Sequence, residues 1–389
     1  MSSRTSRRVG PLAGRPGAAP ALDIDSLIDD PGTRIIVCTG SGGVGKTTTS
    51  AALALRAAER GRKVVVLTID PARRLAQSMG IEALDNTPRP VPGVRGEGHL
   101  DAMMLDMKRT FDEVVESQAS PEKAAQILAN PFYQVLSSSF AGTQEYMAME
   151  KLGQLHQEAR RSGEWDLIVV DTPPSRSALD FLDAPERLSS FLDGRFIRVM
   201  LAPAKGPAKL MSAGLGVVTN ALTKILGAHV LRDMQAFVAA FDTLFGGFRQ
   251  RAQKTFALLQ APGTAFVVIA APEPDALREA AFFVERLAGE KMPLAGLVVN
   301  RVSRVAVEGL SGEQAQAAAE RLEKSGTNAV TAGLLRLHAD RTRIVARESH
   351  LQRRFAAAHP HVPTAVIPAL STDVHDLDGL RRVGELLAG

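Results

Sequence analysis

Short runs of apolar, often β-branched residues recur along the chain. They lie at Arg34–Thr39 (RIIVCT), Val64–Ile69 (VVVLTI), Leu167–Asp171 (LIVVD), Ala265–Ala270 (AFVVIA), Ala295–Asn300 (AGLVVN) and Thr364–Ile367 (TAVI), with Met103–Asp106 (MMLD) a weaker seventh. Most are apolar at successive rather than alternate positions, the pattern of parallel strands buried on both faces. Between them, apolar residues three and four apart predict helices, notably over Thr47–Glu59 and Asp275–Leu287. Strands alternating with helices predict an α/β fold built on a doubly wound, mainly parallel sheet.

Two stretches break this rhythm. Residues about 111–162 and about 181–258 carry helical periodicity with no strand run inside them. In the second, Leu231, Met234, Phe237, Val238, Phe241, Leu244, Phe245 and Phe248 follow helical spacing. Together the two are expected to form an inserted α-helical subdomain. The Phe-rich stripe and the apolar segment Leu210–Leu226 either pack on one another or line a groove for a hydrophobic client. Lys205, Lys209 and Lys224 around that segment leave a peripheral membrane contact open. Residues 303–331 read as an exposed helix with loops, and Leu377–Leu387 as a short amphipathic helix packed on the sheet. The first 20 residues are rich in Arg, Ser, Gly, Ala and Pro without periodicity. The expected organisation is a disordered tail over 1–30 and one nucleotide-binding domain over 31–389.

Charge refines this picture. The net charge is +4, and Arg4, Arg7, Arg8 and Arg15 in the tail account for all of it. A neutral body argues against an electrostatic nucleic-acid binder. Cys38 is the only cysteine, which excludes a disulfide framework or a Cys-rich metal site within one chain. No run approaches the ~18 uninterrupted apolar residues of a spanning helix. A soluble, cytoplasmic protein is the expectation.

The strand RIIVCT runs into Gly40-Ser41-Gly42-Gly43-Val44-Gly45-Lys46-Thr47-Thr48, which opens a helix. This is G-x-x-x-x-G-K-[ST] in the strand–loop–helix context that the phosphate loop requires. Gly42, Gly43 and Gly45 let successive backbone N–H groups converge on one anion, and the helix start adds its positive dipole end. Lys46 suits the β- and γ-phosphates, Thr47 suits Mg²⁺ and Thr48 the α-phosphate. Asp171 ends an apolar strand and suits the same Mg²⁺, directly or through water. The turn after it, Thr172-Pro173-Pro174-Ser175, suits a γ-phosphate sensor. Asp70 ends the second strand, before Pro71, where a carboxylate can orient or deprotonate the attacking water. Asn300 ends AGLVVN, where its amide can pair with adenine. Guanine readers use Asn-Lys-x-Asp, and here the fourth position is Ser303, so ATP is favoured over GTP.

These residues resemble the ArsA-type ATPases, which include the arsenite-pump ATPase and the guided-entry ATPase of tail-anchored membrane proteins. The matches are Gly42–Thr48, Asp70-Pro71-Ala72, Asp171-Thr172 with Pro174, Gly142-x-x-Glu145 and Asn300. Ala141–Glu150 and Phe181–Pro185 are similar to paired actinobacterial members of that family. The resemblance implies a deviant Walker A P-loop NTPase with catalytic Lys46 and Asp70. It implies a nucleotide site of Gly42, Gly43, Val44, Gly45, Lys46, Thr47, Thr48, Asn300 and Pro368, and Mg²⁺ on Thr47 and Asp171. It also implies a dimer that couples ATP to a client or partner. The chain departs from the pattern at Ser41, where the family carries a signature lysine that crosses the dimer interface to the partner's nucleotide. It also lacks the cysteines of the zinc-bridged and arsenite-binding members. The expected partner is therefore a related lysine-bearing subunit, with self-association the alternative. Rival expectations are a positioning ATPase on membrane or nucleoid, and an ATP-binding scaffold with little hydrolysis.

Overall fold

The computed structural model describes residues 19–69, 74–131, 133, 134, 137, 143–173, 247 and 250–389. In chain order the elements are α1 (Ile24–Asp29), β1 (Ile35–Gly40), α2 (Lys46–Glu59), β2 (Lys63–Thr68), α3 (Arg74–Ser78), β3 (Arg89–Pro90) and β4 (His99–Met104). They continue with α4 (Met107–Gln118), α5 (Pro121–Leu128), α6 (Thr143–Ser162), β5 (Leu167–Asp171), β6 (Thr264–Ala270) and α7 (Pro274–Gly289). The last are β7 (Leu294–Val302), α8 (Gly312–Lys324), α9 (Ala329–Ala358), β8 (Thr364–Pro368) and α10 (Leu377–Ala388).

The eight strands form one sheet in the order β3-β4-β2-β5-β1-β6-β7-β8. All neighbours run parallel except β3, which pairs antiparallel with β4. The central strands β1, β5 and β6 are buried at every position, which is why their sequences show no alternation. From β1 the chain leaves to one side for β2 and later returns to the other through β6, so order reverses at β1. Open α/β sheets bind ligands outside the carboxyl ends of the strands at such a point. Helix α2 is buried over most of its length. It packs against the sheet and against α10, where a Cβ on Gly384 would stand 3.5 Å from the Ala52 carbonyl. Helix α10 meets the sheet at β8, as expected, but packs chiefly on α2.

Several boundaries differ from the expectations. The tail expected over 1–30 ends earlier, because residues 24–29 form α1. Asp23 caps it by accepting from the Ser26 N–H at 2.9 Å, and Ile24 and Ile28, one turn apart, are fully buried. The buried Arg62 guanidinium donates to the carbonyls of Ile28, Asp30 and Thr33, tying α1 down. Strand β4 begins at His99, four residues before MMLD. Asp101 hides that start, since its carboxylate breaks the apolar run, yet it is buried and accepts from the Trp165 indole at 2.7 Å. The 30-residue α9 begins within the stretch expected as helix with loops and runs well past it. Its arginine-rich sequence shows little periodicity.

The first helical stretch is seen as α4, α5 and α6. Most of the second, including Leu210–Leu226 and the stripe at Phe237, Phe241 and Phe245, lies outside the described residues. So do Asp70-Pro71-Ala72, the switch from Pro174 onward, Gly142 and Phe181–Pro185.

Candidate functional site

The loop between β1 and α2 is shaped by its glycines. Gly45 sits at φ +90°, and a Cβ there would lie 2.3 Å from the Asn300 side-chain nitrogen. Glycine thus meets both the left-handed backbone and the close approach of β7. Lys46 opens α2 with its side chain 6% exposed and curled back, Nζ donating to the Ser41 carbonyl at 2.8 Å. Ser41 itself is turned inward, and its hydroxyl is buried with no hydrogen-bond partner. The Ser41 side chain therefore presents no polar atom outward.

A cavity of about 860 Å³ opens beside this loop. Gly42, Gly43, Gly45, Lys46, Thr47, Thr48, Asn300 and Pro368 all line it, so most of the sequence-predicted nucleotide residues share one wall system. Val44 does not, since its side chain is in the core and its carbonyl is taken by Asn300. Asn300 donates through Nδ2 to the Val44 carbonyl at 2.8 Å and accepts from the Arg301 N–H at 2.9 Å. An amide has two donors and two acceptor lone pairs, which leaves one of each for a base.

Asp171 is fully buried and lies set back from the cavity wall. It stands opposite Cys38 in the β1–β5 register. Its carboxylate accepts from the Thr68 hydroxyl at 3.0 Å and, more weakly, from Ser50 at 3.5 Å. Thr172 is tied to β1 through its hydroxyl, which donates to the Cys38 carbonyl at 2.8 Å. Burial, with the Asp171 charge adding to it, pushes the Cys38 thiol from 9.0 up to about 12.

Three features escape sequence reasoning. Arg301 takes a left-handed backbone, φ +61°, at the irregularity where β7 slips against β8, and Nη1 donates to the Gly43 carbonyl at 3.1 Å. The charged residue directly after an apolar strand is its only trace in the sequence. Ser303 donates through N–H and hydroxyl to the buried Glu348 carboxylate at 2.7 and 2.9 Å, so α9 braces the end of β7. The segment after Pro368, with Thr372, Asp373 and His375, closes the cavity. Its polar residues following the last strand were the available signal.

A P-loop at the reversal point of a parallel sheet, with an asparagine bridging to it from β7, agrees with the family model for anion-transporting ATPases (ArsA ATPases), which matches residues 33–311. The chain belongs to the ArsA ATPase family. Similar proteins include the ATPase GET3 of Malassezia globosa, 32% identical over 43% of this chain and 47% of that protein. The ATPase ASNA1 homolog of Cryptosporidium parvum is 29% identical over 68% of this chain and 63% of that protein. The arsenical pump-driving ATPase of Acidiphilium multivorum is 32% identical over 40% of this chain and 26% of that protein. The chain thus spans less than two thirds of the length of each of these relatives. Helices α8 and α9 extend past the end of the ArsA family match. Among the described residues no helix is long and apolar enough to cross a membrane, and no three His, Cys, Asp or Glu side chains gather as a metal cluster.

Proposed function

We propose that this ArsA-family chain is a cytoplasmic, Mg²⁺-dependent ATPase that works as a nucleotide-driven switch in a dimer, paired with a related subunit that carries the signature lysine. The observation carrying the nucleotide reading is the convergence of Lys46, Thr47, Thr48, Asn300 and Pro368 on one cavity at the phosphate loop. ATP binding requires Lys46 to leave the Ser41 carbonyl for the β- and γ-phosphates, while the loop N–H groups take the phosphate oxygens. The remaining donor and acceptor of Asn300 pair with adenine.

The oxygen-only set of Thr47 and Asp171 fits Mg²⁺ in donor chemistry. Thr47 would ligate the ion, and Asp171, held by the Thr68 hydroxyl, would hold one of its waters. When bound, the ion neutralises charge on the phosphates. Asp70 orients the attacking water. Hydrolysis then alters the contacts made by Thr172 and Pro173, and the helical insertions pass that change to a hydrophobic client. By resemblance to the guided-entry ATPases, the client is the membrane helix of a tail-anchored protein.

Lys46 acts on ground-state nucleotide and Asp70 acts as water attacks. Lys46→Ala is expected to lose ATP binding, whereas Asp70→Asn keeps ATP affinity and loses phosphate release. Wild-type turnover by Asp70→Asn removes Asp70 from this role.

A further inference from the structure

At the amino-terminal edge of the sheet, the far end from the phosphate loop, lies a second cavity of about 560 Å³. That is within the ~300–1,000 Å³ of ordinary small-molecule sites. Arg34 precedes β1, Lys63 opens β2, and His156 and Arg160 stand one turn apart on α6; all four line it. We propose that this cavity is a second anion site, which takes a phosphate group between the guanidinium groups of Arg34 and Arg160, with Lys63 and His156 beside them.

The charge balance of the lining supports this. No ion pair or side-chain hydrogen bond joins Arg34 or Arg160 to any described residue, while the nearby Arg62 and Arg161 are paired with Asp166 and Glu158. The one carboxylate in the lining, Asp166, is engaged by Arg62. Lys63 makes only a long contact, 3.4 Å, to the Gly163 carbonyl. The imidazole of His156 is half-buried and held below its ordinary pKa, first by burial and then by the positive fields of Arg160 and Arg34. Both guanidinium charges thus act on the His156 imidazole, and all three side chains line the cavity. Like charges held together without counter-charge are what an entering dianion relieves, and planar guanidinium forks match phosphate geometry. Arg160 also lies in the last turn of α6, where a cation complements the helix dipole. That role gives no reason for Arg34 and Lys63 to face the same space.

The cavity carries its own reporter, because Trp165 lines it and is the only tryptophan in the chain. The full chain bearing Lys46→Ala, which silences the phosphate loop, is titrated with inorganic phosphate and with glycerol phosphate. Potassium chloride at matched ionic strength serves as the control. A saturable change in Trp165 emission, together with an upward shift of the His156 pKa by NMR, is expected. Tighter binding of glycerol phosphate makes a phosphate ester the ligand, and tighter binding of the free ion makes it inorganic phosphate; either supports the site. Arg34→Gln and Arg160→Gln are each expected to weaken binding about tenfold or more, with lysine at either position recovering part of it. In the wild-type background the same substitutions leave ATP binding unchanged. A non-saturating response equal to that of chloride, or unaltered affinity in folded Arg34→Gln/Arg160→Gln, overturns the proposal.

Discussion

Asn300, at the end of β7, donates through Nδ2 to the carbonyl oxygen of Val44 in the phosphate loop, 256 residues away in sequence, at 2.8 Å. One hydrogen bond therefore joins the base side of the site to the phosphate side, and Gly45 is what makes room for it.

Gly45→Ala is expected to destroy that junction. Its Cβ would collide with Asn300 and its backbone would be held at φ +90°, a conformation that costs an L-residue roughly 1–2 kcal/mol. Gly43 supplies the control, because it is also left-handed, φ +77°, but a Cβ there meets open space. Gly43→Ala should show the backbone cost alone. Comparing ATP affinity and melting temperature of the two variants checks this, with Gly45→Ala losing far more ATP affinity.

Glu348 couples α9 to the same place. Glu348→Ala leaves the Ser303 N–H and hydroxyl without their partner, which should cost about 1–3 kcal/mol. It should also weaken ATP binding by loosening the strand end that carries Asn300 and Arg301. Glu348→Gln keeps one acceptor and should fall between. Urea unfolding with ATP titration measures both effects.

Cys38 gives a pH signature. The folded chain holds the thiol proton more tightly than the unfolded chain does, since burial raises its pKa from 9.0 to about 12. Its contribution to stability is therefore present below pH 9.0 and is lost as pH rises from there toward 12. Cys38→Ala should remove that part of the alkaline decline. Native protein should resist iodoacetamide below pH 9.0, and denatured protein should react readily.

The sequence was most informative where one physical demand ruled a stretch. Strands β1, β5 and β6 are buried on both faces, so their apolar runs mark them almost to the residue, and the phosphate loop follows from its glycines and lysine. It was least informative where tertiary partners override local pattern. Asp101 is tolerated in β4 only because Trp165 donates to it. Helix α1 depends on Arg62 and on Ile24 and Ile28 meeting the core. The turn at Arg301 arises from the slip between β7 and β8, which no residue on its own announces. The long α9 is held by packing on α8 and by the Glu348 bonds to Ser303 rather than by a regular apolar stripe.

Ser41 bears on the central claim. Its side chain is short, uncharged and turned inward, so in the proposed dimer Ser41 itself brings no cation to a partner's phosphates. A cation supplied in trans is worth ~10³–10⁵ in rate to comparable phosphate-loop enzymes. The most direct test is steady-state ATP turnover by the purified chain, alone and then mixed with a related subunit carrying lysine at the position of Ser41. Slow turnover alone, a large rise on mixing, and loss of that rise when only the partner's lysine is replaced are the expected results. Fast turnover by the isolated chain, or a rise that survives replacement of the partner's lysine, would contradict the account.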